Sequence, residues 1–145
     1  MFLRAILFAF VCLAGFRTWG ATYYVTAGRV PAGTEHGTPE SPFSSIQQAI
    51  RVAATNDPGS RAHIIYVASG IYNRGQEESL SSNDEGVGVV QSLIHVTGHS
   101  FLNGLQIIGA GSEATFIDAM EPSSYGRVMR IDGVGSNGVS VSGLT

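Results

Sequence analysis

The stretch from Leu105 to Asp118, LQIIGAGSEATFID, is echoed by Val128 to Val141, VMRIDGVGSNGVSV. In each, a short apolar strand closes on an isoleucine, Ile108 or Ile131, and runs into a glycine-rich bend. The offset, 131 minus 108, is 23 residues, a repeat length that suits a solenoid. A unit this short cannot bury its own apolar face and has to stack on copies of itself. The echo therefore predicts stacked coils. The chain stops at Thr145, inside the strand-like run Val139 to Thr145, so the expectation is a solenoid truncated after its first few coils.

The first twenty residues read as a separate unit. Arg4 precedes an unbroken apolar run from Ala5 to Phe16, and polar Arg17 to Gly20 follows, which is the order of a secretory signal peptide. The run falls well short of the roughly 20 apolar residues needed to span a bilayer. Thr18 and Gly20 suit cleavage before Ala21. The reading is signal peptide over 1–20 and a chain that is secreted or at the cell surface, with no membrane segment once the leader is removed. Cys12 lies in that leader and is the sole cysteine, so the mature chain has no disulfide and no thiolate metal ligand. Removing Arg4 and Arg17 leaves six arginines against eleven carboxylates, a net charge of −5, and that sign argues against a nucleic-acid partner.

Along the mature chain, Ala21 to Thr26 is rich in β-branched and aromatic residues and predicts a strand; Gly28 to Pro42 predicts a loop. At Ser44-Ser45-Ile46-Gln47 the Ser44 hydroxyl can accept the Gln47 N–H while the Gln47 side chain returns a bond, the pattern of a capping box. In the helix that follows, Ile46, Ala49, Ile50 and Ala53 form one apolar stripe, and Gln47, Gln48 and Arg51 are expected to face away. Asn56-Asp57-Pro58-Gly59 stops it. Ala62 to Ala68 predicts a buried strand, with a turn at Ser69-Gly70 before Ile71-Tyr72. A polar excursion spans 73–86, and short strands follow at 87–97, 105–108, 115–118, 128–131 and 139–141. The organisation is then a cap over 21–61 (strand, loop, amphipathic helix) and coils over 62–145.

Together, Tyr23-Tyr24-Val25, Gly37-Thr38-Pro39, Ser41-Pro42-Phe43, Ile46 to Ile50, Ile65-Tyr66-Val67, Gly70-Ile71-Tyr72, Ile108 to Gly111 and Thr115 to Asp118 carry a resemblance. In this order they resemble the N-terminal part of exported right-handed parallel β-helix proteins of the pectate-lyase-like superfamily, over nearly all of the mature chain. The resemblance implies an all-β, right-handed parallel β-helix (solenoid) with an N-terminal capping α-helix, in a protein that acts on or binds polysaccharide. It also implies that the catalytic groove belongs to middle coils, so no catalytic residue is carried over to this segment, which is expected to be inactive alone. The parent is then a polysaccharide lyase or glycoside hydrolase, with calcium left open for the full-length chain. The alternative is a non-catalytic, adhesive surface solenoid. One departure bears on calcium: the loop Gly28 to Gly33 has no acid before Glu35, which disfavours a calcium site there.

Five groups of residues invite chemistry. Glu77, Glu78, Asp84 and Glu85 offer hard oxygen ligands for calcium, but their spacing matches no defined loop, and a solvated acidic excursion is the better reading. His95 and His99 are four apart, a zinc spacing only on a helix, and Gly98 with its β-branched neighbours points to strand and turn. No metal site is therefore assigned. Asp118 and Asp132, near Arg127 and Arg130, are the residue types of a lyase, yet an Asp closing a strand is expected to bond backbone N–H groups at the bend. Tyr23, Tyr24, Tyr66, Tyr72 and Phe101 suit sugar stacking or, more often, coil packing. Gly109-Ala-Gly111 and Gly133-Val-Gly135 precede no helix to cradle a phosphate, so they read as bends needing positive φ, and no nucleotide cofactor is assigned.

Overall fold

The computed structural model describes residues 20–28, 35–56, 62–73, 77, 92–96, 104–118, 127–132 and 138–145. Residues 1–19 of the expected leader, His99, Phe101, Glu78, Asp84, Glu85 and the expected bend at Gly133–Gly135 lie outside the described residues. Elements follow in the order β1 (Thr22–Val25), α1 (Ile46–Asn56), β2 (Ile64–Val67), β3 (Gly70–Asn73), β4 (Ser92–Val96), β5 (Leu105–Gly109), β6 (Thr115–Asp118), β7 (Arg127–Ile131) and β8 (Val139–Ser142). Each expected strand and the helix are present within a few residues of their expected bounds. Among the described residues, no helix is long and apolar enough to cross a membrane.

All strand pairs are parallel. β1-β2-β5-β8 form one sheet, here sheet A; β3-β6 form sheet B and β4-β7 sheet C. From β2 onward the chain visits A, B, C, A, B, C and A again. After β8 it turns to sheet B once more: Thr145 N–H donates to the Thr115 carbonyl at 2.9 Å, and the Thr145 carbonyl accepts Ile117 N–H at 2.7 Å. Parallel neighbours need a long crossover between them; between β1 and β2 it contains α1, and from β2 onward it consists of the strands of the other two sheets. No sheet among the described residues closes into a barrel.

The register corrects the repeat length. Ile64 lies beside Gln106 and Leu105 beside Val139, offsets of 106 minus 64, or 42, and 139 minus 105, or 34. Gly70 pairs with Thr115 and Ser92 with Arg127, offsets of 45 and 35. The echo at 23 residues joins strands of different sheets: Ile108 sits in sheet A between Tyr66 and Ser142, whereas Ile131 sits in sheet C beside Val96. Both runs end an apolar strand shortly before a glycine, so the echo records a local solution used in two sheets and not the spacing of paired strands.

Alternation along the strands sorts the two faces of sheet A. Tyr23, Ile65 and Ile107 form one inward column, and Val25 and Val67 form another. Sheets B and C add Tyr72, Ile94 and Val96 to the same core. The α1 stripe is as expected: Ile46, Ala49, Ile50 and Ala53 are all buried, and the helix lies against β1, β2 and β4. Burying its two isoleucines contributes on the order of 3–6 kcal/mol. Glycine is required where the end of β5 meets the end of β8, since a Cβ on Gly109 would lie 2.1 Å from the Gly143 carbonyl oxygen.

The start of α1 differs from expectation. Ser45, not Ser44, is the N-cap, its hydroxyl accepting Gln48 N–H at 3.1 Å. Ser44 instead donates its N–H and hydroxyl to Glu35 Oε2, at 3.1 and 3.3 Å. Gln47 does not return a capping bond and does not face away. It is buried, and its amide pairs with the backbone of β4, accepting His95 N–H at 2.6 Å and donating to the His95 carbonyl at 2.9 Å. A side chain thus takes the place of a neighbouring strand along the first strand of sheet C.

Candidate functional site

Two places on the outer surface gather chemistry-bearing side chains. The first is on sheet A, where the outward column reads Tyr24, Tyr66, Ile108 and Ser142. Tyr24 and Tyr66 stack with centroids 5.6 Å apart and planes 27° from parallel. The segment 37–43 runs beside β1, with Tyr24 N–H donating to Gly37 O at 2.9 Å, Phe43 N–H to Tyr24 O at 2.8 Å and Thr26 N–H to Phe43 O at 2.9 Å. Gly37 makes this path feasible, having φ +71° and no room for a Cβ against the Phe43 ring 2.3 Å away. The segment brings Pro39 and Pro42 to the head of the tyrosine column. A groove of about 380 Å3 results, walled by the prolines, Tyr24, Tyr66, Ile108 and Ala110. That volume falls within the range of about 300–1,000 Å3 found for small-molecule sites. Tyr23 and Tyr72, by contrast, are buried in the core.

The second place is on sheet C. His95 and Arg130 are register partners on adjacent strands. Asp132, just past β7, meets both: its Oδ2 lies 3.1 Å from His95 Nε2 and bonds Arg130 Nε. Its own N–H donates to the Val96 carbonyl at 2.9 Å. The carboxylate therefore binds two side chains, where a role toward backbone N–H groups at the bend was expected. It links two successive strands of sheet C, meeting the His95 ring on one and the Arg130 guanidinium on the other. Asp118 is held apart from it, exposed at the end of β6 in sheet B. The lyase-like acids are thus divided between sheets. Among the described residues, no group of three or more His, Cys, Asp or Glu is placed to hold a metal ion.

Glu77 corrects the reading of a solvated acidic excursion. It is fully buried, and its carboxylate accepts Ser45 Oγ–H at 2.7 Å and the N–H groups of Ile46 and Gln47, both at 2.9 Å. Those groups belong to the first turn of α1, which has unpaired N–H donors and the positive end of the helix dipole. Burial pushes the Glu77 carboxyl above its ordinary range, against the downward pull of the three donated bonds. Nearby, burial pushes the Tyr72 phenol up to about 12, with the charge of Glu77 adding to the rise. α1 carries no acid in its own first turn, which leaves its N-terminal N–H groups open to an acceptor from elsewhere in the chain. Of the two glycines at the sheet A bend, Gly111 has φ +144°, while Gly109 is needed for the close approach described above.

No family model, curated protein or solved structure matches this chain. Its functional reading therefore rests on its own residues and strand order.

Proposed function

We propose that this chain is the N-terminal part of an exported right-handed parallel β-helix protein that binds or acts on polysaccharide along its outer face. Strands that cycle through three parallel sheets under a helical cap support the solenoid. The right hand follows from the strong preference of parallel crossovers for that sense. The apolar leader from Ala5 to Phe16 supports export. The observation that carries the polysaccharide reading is the groove beside Tyr24 and Tyr66, since aromatic rings exposed along a sheet suit the faces of sugar rings.

For the segment itself the proposal is binding, with catalysis assigned to further coils. Glycoside hydrolysis ordinarily needs two carboxylates on either side of the scissile bond, and among the described residues none that lines this groove is a carboxylate. Affinity electrophoresis of the full chain through gels containing a panel of polysaccharides tests the reading. Retardation by at least one of them is expected, and free migration through all of them would overturn it. Export is tested separately by N-terminal sequencing of the protein recovered from culture medium, with Ala21 as the expected first residue.

A further inference from the structure

Among the described residues, the walls of the Tyr24–Tyr66 groove are prolines, tyrosines, aliphatic side chains and one threonine, Thr26, and none of these is charged. We infer that the groove takes a neutral glycan, one whose sugar rings present C–H faces and hydroxyl edges, and not a uronate chain. This rests on the reading that sheet A meets polysaccharide.

A uronate brings one carboxylate per residue. Taking a carboxylate out of water without a partner is strongly unfavourable, and the natural partner is a guanidinium, which grips it with two parallel N–H bonds. The described arginine side chains are elsewhere: Arg51 is on α1, and Arg130 on sheet C is already engaged by Asp132. The chain as a whole carries a formal net charge of −3, so its long-range field also repels a polyanion.

A neutral sugar makes the opposite demand. Its C–H faces need apolar contact, which Pro39, Pro42, Ile108 and the two rings supply, and its hydroxyls need partners at the rim, which the tyrosine hydroxyls and Thr26 offer. Tyr66 is 41% exposed without a ligand, so its ring is available to one. The column also crosses successive strands at the usual parallel spacing of about 4.8 Å, so the site extends along the face as a chain-like ligand would.

The test is affinity electrophoresis of the full chain in hydroxyethylcellulose and in polygalacturonate, with titration of a polyproline decapeptide as the rival occupant of a tyrosine-and-proline groove. Retardation by hydroxyethylcellulose is expected, weakened about threefold to tenfold in Tyr66→Ala and nearly intact in Tyr66→Phe. Tyr66→Ala should keep its far-UV spectrum, and Tyr24→Ala provides a second reading of the same column. Ile108→Arg, which places a cation at the groove, should add retardation by polygalacturonate. Binding of polygalacturonate alone by the wild-type chain would overturn the neutral class and leave the polysaccharide reading standing. Binding of the neutral polymer that neither tyrosine variant weakens would overturn the groove as the site. Binding of polyproline with neither polymer would overturn both readings.

Discussion

The two ends of the strand stack treat the same kind of residue in opposite ways. In one inward column of sheet A, Ile65 and Ile107 are 0% exposed, whereas Val141, next in register, is 39% exposed. In sheet C, Val96 is 0% exposed and its partner Ile131 is 41% exposed. All five are aliphatic and all lie in strands. The difference is that the first strands have a neighbour on one side and β1, the 37–43 segment or α1 on the other, while β7 and β8 are at the edges of their sheets. Burial here depends on the neighbours a strand has on its two sides, not on the strand's own residue types.

The largest effect should come from breaking the protected end. Ile107→Ala removes a fully buried side chain between Ile65 and Val141 and should lower stability by about 2–5 kcal/mol, against about 0.5 kcal/mol or less for Val141→Ala. Urea unfolding of the two variants side by side measures the contrast, and equal losses would show that the two ends are equally packed. Next is Glu77→Ala, which leaves three donors of the α1 cap without their acceptor and should destabilise by about 1–3 kcal/mol.

Glu77 also makes a pH prediction. Its carboxyl is raised in the folded chain relative to the unfolded one, so the folded state binds the proton more tightly. The resulting stabilisation is fully present below the ordinary carboxylate range and is lost as pH rises through the raised folded value. Thermal melts from acid to neutral pH should show this downward component in the wild type and its loss in Glu77→Gln.

A smaller effect is expected where side chains stand in for strands. Gln47→Ala removes two bonds to the His95 backbone and should cost about 1–2 kcal/mol, with faster hydrogen exchange at the His95 amide as the local readout. Asp132→Asn weakens the partly exposed contacts with His95 and Arg130 and should change stability by less than about 1 kcal/mol. Chemical denaturation that ranked Asp132→Asn above Gln47→Ala would place the grip on sheet C at its open edge.

Much of the fold was legible because it is written in short-range patterns. The inward and outward alternation of Tyr23-Tyr24-Val25 and the stripe from Ile46 to Ala53 depend only on the geometry of a strand and a helix. The spacing between paired strands was not legible, because the connections differ in length and the nearest look-alike of Ile108 lies in another sheet. Glu77 could not be distinguished from its acidic neighbours by composition, since the donors it serves lie 30 to 32 positions earlier in the chain. The groove was half legible. Both tyrosines were singled out, but the prolines that wall them arrive only because residues 37–43 pair with β1.

The unequal offsets between paired strands, 34, 35, 42 and 45, have a consequence for how such a molecule changes over time. The strands keep register while the bends absorb every difference in length, and lengthening a flexible bend costs little, about 0.6 kcal/mol per doubling. The connection from β2 to β3 is confined to Ala68 and Ser69, whereas 18 positions separate Asn73 from Ser92. Insertions should accumulate at the second place and be excluded from the first. New surface can thus be grafted onto one corner of the stack while the ladder beneath it goes unaltered.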